Sequence, residues 1–334
     1  MPSTLRTRHP QRLSKRDIGG ARDTGPMTTA DAYWRSRAGA SAVKGVLATA
    51  SDAPGIAPLP EHADAQVERE APVRLARYVV DASLADLVRH VWVPRWQLPP
   101  GTVVDQGVLD YPSANLVIEP DAGALYGPEA GRSHRRLEGT GWAFGALLQP
   151  GVARLLTHGS MRALLGGSVP LDELRVTDAA GLAHEVRVAL EAGDDGAGVA
   201  AFEEWLTRQR LVLGDEARLV RHVVELAERD RGILRAEDLA RASGLGLRTL
   251  QRLVREQLGL TPKWVIRRYR MQEAAAALAA SDAPALADLA ADLGFADQAH
   301  LTREFRAVIG DTPRRYSLAA AAAAAAASVA SGPS

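Results

Sequence analysis

ADLAADLGFADQAHLTREFRAVIGDTPRRY, residues Ala287–Tyr316, holds two amphipathic patterns with a glycine between them. From about Asp297, the apolar residues Leu301, Phe305 and Val308 recur at steps of three and four, which in a helix of 3.6 residues per turn draws one buried stripe. Ala299, Thr302, Arg303 and Arg306 form the opposite stripe. Ahead of it, Leu286, Leu289, Ala290 and Leu293 predict a shorter helix. Gly294 ends that helix, because the absence of a Cβ permits a left-handed turn. A helix that turns Gln, Thr and Arg outward while a partner holds it from behind suits the reading of base edges in a major groove. Taken alone, the stretch fits an ordinary helical hairpin with a solvated face equally well.

The chain, however, says it twice. Asp238-Leu239-Ala240 with Gly244-Leu245 returns fifty residues later as Asp288-Leu289-Ala290 with Gly294-Phe295. Gly259-Leu260-Thr261-Pro262-Lys263 returns fifty-one residues later as Gly310-Asp311-Thr312-Pro313-Arg314. In the first copy Leu250 and Val254 lie on the buried stripe, while Arg248, Gln251, Arg252 and Arg255 share the outward face at i, i+3, i+4 and i+7. Repetition of a unit too small to fold alone is a strong architectural signal.

Between the copies Thr261 is placed to cap a helix that has Pro262 at its first position. That helix can run through Trp264, Tyr269 and Met271 to about Ala280, a span of roughly 28 Å at 1.5 Å per residue. With the flanking units it would set the two outward helices about one DNA turn, roughly 34 Å, apart. Net charge is zero, yet between Arg248 and Arg270 the basic residues Arg248, Arg252, Arg255, Lys263, Arg267, Arg268 and Arg270 face only Glu256 as an acid. A local basic stripe bears on phosphate binding more than the global balance does.

Residues 215–318 resemble the C-terminal DNA-binding domain of AraC/XylS-type transcription regulators, two helix-turn-helix units joined by a long helix. The resemblance is carried by LARASGLGLRTLQRLVRE (Leu239–Glu256), GLTPKWVIRRYRMQEA (Gly259–Ala274) and ADLGFADQAHLTREFRAVIGDTPRRY (Ala291–Tyr316). At the turns, where members often have Ser, this chain has Gly246 and Ala296, so both hydroxyl caps are missing and Asp297 is left to cap the second unit. The resemblance implies that Arg248, Gln251 and Arg252 face bases in one groove and Gln298, Ala299, Thr302 and Arg303 in the next. It also implies that Arg255, Lys263 and Arg306 approach phosphates. Double-stranded DNA is the partner expected; RNA polymerase, a small-molecule effector and a second copy of the chain are compatible with it, and the setting expected is cytoplasmic.

Upstream, residues 1–70 are rich in Arg, Ala, Gly, Pro, Ser and Thr without an apolar period and are expected to be a disordered tail, with Met27 an alternative start. Residues 71–178 carry short β-rich runs, Arg77–Val80, Leu87–Val93, Gly101–Val108, Asn115–Glu119 and Trp142–Leu148, parted by Pro and Gly turns. A helix is expected after Pro150-Gly151, and residues 179–214 are expected to be a helical linker, with helices at about Ala179–Glu191 and Gly198–Leu211 broken at Asp194-Asp195-Gly196. Residues 319–334 form a low-complexity alanine tail. The fold class is therefore α+β, a small β-barrel or cupin-like domain followed by an all-α domain. AFGALLQPGVARLLT (Ala143–Thr157) and VPLDEL (Val169–Leu174) are similar to the N-terminal domain of one AraC-type subfamily, which implies a sensor or dimerisation role. Trp92, Trp96, Tyr111, Tyr126, Trp142 and Phe144 are expected to be the core of the β-part; a ligand pocket lined by them is the alternative.

With 46% apolar and 24% charged residues the chain can bury a sizeable core. It has no cysteine, so disulfides, thiolate catalysis, cysteine-ligated zinc and cysteine-dependent DNA-alkylation repair are excluded. His90, His134, His158 and His184 are scattered without a metal-ligand spacing, Ser160 and Ser168 lack a nucleophile-elbow context, and no Gly-rich phosphate loop follows a strand. No catalytic residue, metal, cofactor or membrane span is expected. The alternatives are an enzyme on the cupin-like domain, which would want a metal cluster, and a protein-binding module, against which the basic outward faces speak.

Overall fold

The computed structural model describes residues 73–330, apart from 130, 132 and 281. The expected N-terminal tail, with its basic opening and Met27, lies outside the described residues. The strands are β1 (Val73–Tyr78), β2 (Val88–Gln97), β3 (Val103–Val108), β4 (Asn115–Ile118), β5 (Gly123–Tyr126), β6 (Ser133–Glu138), β7 (Thr140–Trp142), β8 (Phe144–Leu148) and β9 (Ser168–Pro170). The helices are α1 (Ala153–Leu156), α2 (Ala179–Glu191), α3 (Asp195–Arg208), α4 (Asp215–Arg229), α5 (Ala236–Ala242), α6 (Leu247–Leu258), α7 (Pro262–Leu278), α8 (Leu286–Asp292), α9 (Gln298–Ile309) and α10 (Pro313–Ala330). The fold is thus a β-sheet part followed by a helical part.

One antiparallel sheet runs β1-β2-β8-β4-β5-β9 with β7 also paired to β2, while β3 and β6 form a separate two-stranded ribbon. The β6 strand, SHRRLE, was invisible to apolar periodicity because its exposed run of His134, Arg135 and Arg136 interrupts the alternation, with only Ser133 and Leu137 buried. Sheet alternation creates two faces. Val91, Val93, Leu116, Ile118, Phe144, Ala146 and Leu148 turn to one, where α2 and α3 bring Leu182, Val186, Leu190, Phe202 and Trp205. Phe144 and Phe202 meet at 5.6 Å between ring centroids. Arg95 of β2 reaches across to Asp195 at 2.6 Å and donates to the Leu190 carbonyl at 2.8 Å. Residues expected as a linker therefore close the core of the sheet, and Asp194 at their break caps α3 through its side chain on the Ala197 N–H.

The repeated unit repeats in its hydrogen bonds. Leu245 N–H donates to the Ala240 carbonyl at 2.9 Å, and Phe295 N–H to Ala290 at 2.8 Å. At the far end of each outward helix Gly259 donates to Arg255 and Gly310 to Arg306, both at 2.9 Å. Thr261 Oγ1 accepts from Trp264 N–H at 3.2 Å and opens α7, as Thr312 Oγ1 accepts from Arg315 N–H at 3.4 Å and opens α10. Asp297 caps α9 by accepting the His300 N–H at 2.6 Å, whereas Gly246 caps α6 with no side-chain bond.

The joining helix α7 lies against α4, α5 and α6 on one side and against α9 and α10 on the other. It is buried over most of its length, including Arg268 and Arg270. Arg270 pairs with Glu273 at 3.0 Å and donates to the carbonyls of Asp230 and Ile233 at 2.8 and 3.1 Å. Against the expectation of a continuous basic stripe, Arg268 and Arg270 are interior residues, and Arg267 is paired with Glu304 of α9 at 2.6 Å. The cause is the all-round packing of α7, which leaves its polar side chains to find partners inside.

Two glycines separate backbone strain from packing. Gly244 has φ +69° with open space where a Cβ would sit, so Gly244→Ala should cost only the left-handed conformation, about 1–2 kcal/mol. Gly259 has φ +73°, and a Cβ there would lie 2.3 Å from the Met161 carbonyl oxygen of the β-part. Gly259→Ala should therefore lower the urea midpoint clearly further than Gly244→Ala; equal losses would show that the α6–α7 turn is not packed against residues 161–162.

Candidate nucleic-acid interface

On α6 the side chains of Arg248, Gln251, Arg252 and Arg255 are exposed, while Leu250, Leu253 and Val254 are buried against the helices behind. On α9 Gln298, Ala299, Arg303 and Arg306 are exposed, and Leu301, Phe305, Val308 and Ile309 are buried. Lys263 is exposed in the first turn of α7. The residues expected to face DNA thus lie on the outward faces of α6 and α9, Thr302 half-buried among them, with Lys263 apart on α7. Neither α6 nor α9 carries an acidic residue in its first turn; the start of α6 at Gly246 has no side-chain cap and its partial positive charge is open to phosphate, whereas the Asp297 carboxylate occupies the start of α9.

Two of these residues are engaged within the protein. Arg252 Nη1 lies 2.9 Å from Glu256 and 3.7 Å from Glu216. The Thr302 hydroxyl donates to the Gln298 carbonyl at 2.8 Å, which uses its one donor inside the helix and leaves a methyl and acceptor lone pairs outward. An exposed ion pair such as Arg252–Glu256 is weak.

A second feature lies in the β-part, where the aromatics were expected to form a core, with a ligand pocket lined by them as the alternative. The second face of the sheet and the β3–β6 ribbon border a partly open cavity of about 400 Å³. Pairing register sets Arg77 opposite Trp92, Trp92 opposite Gly145 and Gly145 opposite Val117, all on this face. Trp92, Trp96, Tyr111 and Tyr126 line the cavity, whereas Trp142 and Phe144 belong to the core on the other face. Trp92 Nε1 donates to Asn115 Oδ1 at 3.0 Å, and Trp96 Nε1 to the Glu138 carbonyl at 3.0 Å, so both indoles are held in place. Burial first, then the Arg77 and Arg89 cations, push His90 in this wall down to about 3. Among the described residues no group of three or more His, Cys, Asp and Glu is placed to hold a metal ion.

The cavity wall and the DNA-facing part meet at α7. Arg268 Nη2 donates to the carbonyls of Glu129 and Gly131 at 2.6 and 3.1 Å, and its guanidinium stacks 4.3 Å from the Trp264 ring centroid. Burial pushes this guanidinium down to about 10, against the pull of Asp110. Gln272 donates to the Leu109 carbonyl at 3.2 Å. Asp110 in turn accepts the Glu129 N–H at 3.1 Å and the Ser133 hydroxyl at 3.2 Å. A parallel tie joins Arg89 of β2 to Glu228 of α4 by two bonds of 2.6 and 2.9 Å. The signal for this contact is the spacing of Trp264, Arg268 and Gln272 at i, i+4 and i+8, one face of α7.

Residues 239–319 match a helix-turn-helix domain, and residues 76–170 a domain of unknown function (DUF6597). The HTH-type transcriptional activator RhaS of Escherichia fergusonii is 34% identical over 112 residues, 33% of this chain. That alignment spans 40% of RhaS. A transcriptional regulator from Chromobacterium violaceum with an AraC-type DNA-binding domain is 24% identical, covering 31% of this chain and 93% of that one, with a TM-score of 0.29. ToxT from Vibrio cholerae is 11% identical, covering 74% of this chain and 97% of that one, with a TM-score of 0.36.

Arg268→Ala leaves two half-buried carbonyls without their donor and should destabilise the chain by about 1–3 kcal/mol. Amide hydrogen exchange should rise around residues 127–131 as well; unchanged exchange there would deny the clamp. His90 is neutral when folded, whereas the unfolded chain takes up its proton below about pH 6.5. Its contribution to stability is present above that pH and is lost as pH falls from about 6.5 towards 3. His90→Gln should therefore show a shallower fall in urea midpoint between pH 7 and 5 than the parent chain.

Proposed function

We propose that this chain, whose C-terminal third is a helix-turn-helix domain of the AraC type, is a sequence-specific DNA-binding transcription regulator rather than an enzyme. The observation that carries this reading is the pair of exposed faces on α6 and α9, presented by two copies of one unit and held by one buried helix. Arg248, Gln251 and Arg252 read bases in one major groove, and Gln298, Ala299, Thr302 and Arg303 in the next. Arg255, Lys263 and Arg306 hold phosphates, and Arg252 leaves Glu256 on docking. With Arg267, Arg268 and Arg270 occupied internally, affinity rests on fewer cations than the sequence carries in this region. RhaS, described as a transcriptional activator, supports the reading at the level of class.

In this reading residues 71–178 with the helices of 179–214 form the sensor or dimerisation part, and 215–318 the DNA-binding part. A small-molecule effector acts at the cavity, and its route to the DNA-binding part is the wall at Asp110 and Glu129 against Arg268. A second copy of the chain and RNA polymerase are its macromolecular partners, and it works in the cytoplasm. Among the described residues no helix is long and apolar enough to cross a membrane.

Binding-site selection from a random oligonucleotide pool should enrich an asymmetric site of roughly 20 base pairs, in two boxes about one turn apart. Gln251→Ala with Arg252→Ala should relax one box and Gln298→Ala with Arg303→Ala the other, each contact contributing about 1–3 kcal/mol. No enriched motif, or loss of the same bases in both double variants, would sink the two-groove reading. Lys263→Ala should weaken all sequences alike and reduce the salt slope by about 1, without altering base preference.

A further inference from the structure

Arg77 is an arginine inside a mostly apolar cavity. It lies on β1 at the edge of the sheet, its Nε is buried with no hydrogen-bond partner, and among the described residues it forms no ion pair. Burial pulls its guanidinium below the usual range, and the nearby Tyr111 phenol only partly offsets this. The carboxylates of the cavity wall do not answer it. Asp110 is engaged by the Glu129 N–H and Ser133 hydroxyl and lies under the influence of Arg268, not of Arg77. A half-buried cation whose Nε is shut off from water and unpaired is costly unless an anion completes it.

Next to this cation the sheet is built around indoles. A Cβ on Gly145 would lie 2.0 Å from Trp92, and one on Gly141 would lie 2.3 Å from Trp96, so each indole occupies the space a side chain would take. Their Nε1 donors are already used, leaving apolar ring surface toward the cavity. At about 400 Å³ the space falls within the range of about 300–1,000 Å³ usual for small-ligand sites.

We infer that the cavity binds a small organic acid, its single carboxylate paired with Arg77 and its planar apolar body set against Trp92 and Trp96. This names the ligand class for the sensor part and so rests on the regulator reading. A guanidinium offers a carboxylate two parallel hydrogen bonds, and a neutral amide of the same shape cannot replace that charge. Arg135 and Arg136 of β6 also line the cavity, so Arg77 is distinguished from them by its lack of a partner: Arg135 lies over the Tyr126 ring and Arg136 pairs with Glu138.

The test is isothermal titration of the full chain with benzoate, indole-3-carboxylate and 2-naphthoate, each beside its primary amide. The expected result is binding of at least one acid about tenfold or more tighter than its amide. That preference is lost in Arg77→Met and kept in Arg77→Lys. Arg77→Met should also melt no lower than the parent chain, because it removes a half-buried charge that lacks a partner. Equal binding of acids and amides, preference for amides, or no binding of any acid to the parent chain overturns the assignment. So does a preference that survives in Arg77→Met; should that variant fail to fold, the acid-against-amide comparison in the parent chain decides alone. Binding-site selection on the same preparation without ligand keeps the two readings apart: its failure counts against the regulator, and loss of acid preference counts against the cavity only.

Discussion

Helix α7 has to be buried on nearly every side, and the rest of the molecule is arranged to satisfy it. Its alanines and Met271 let neighbouring helices come close, while its polar residues cannot be left in an apolar interior without partners. Arg270 finds Glu273 and two carbonyls within the helical part, and Arg268 finds two carbonyls of the β-part. One helix therefore sets the relation between the two outward faces and ties both to the wall of a cavity. Removing water from a guanidinium is expensive, so each such contact is geometrically demanding.

The sheet follows a similar economy. Because successive side chains alternate, the same strands supply a helix-covered core on one face and a lined cavity on the other. The aromatics divide accordingly: Trp142 and Phe144 fill the core, and Trp92 and Trp96 stand over Gly145 and Gly141 in the cavity. Glu129 is at once part of the cavity wall and, with Gly131, an acceptor for Arg268, so the wall and α7 share a direct contact.

Much of the helical part was legible from residue order. Turn glycines, the Thr261-Pro262 start and the stripes of Leu250, Val254, Leu301 and Phe305 are local features, and local features survive into the structure because their physics spans four or five residues. The β-part was less legible. Strands of three or four residues and the charged β6 carry no periodic signal, and α2 and α3 looked like a linker because amphipathicity reveals a buried face without naming what buries it.

Residue order alone was sufficient for the repeated unit, the outward polar faces and the helix between them, since all three follow from spacing along a helix. Only tertiary packing decided which cations remain available. Arg248, Arg255 and Lys263 stay in solvent, while Arg267, Arg268 and Arg270, four to seven residues beyond Lys263, turn inward to Glu304, to backbone carbonyls and to Glu273. The cavity and its unpaired Arg77 belong to the same class. A carboxylate partner that never arrives cannot be seen in sequence, because charge compensation is a property of neighbours in space rather than along the chain.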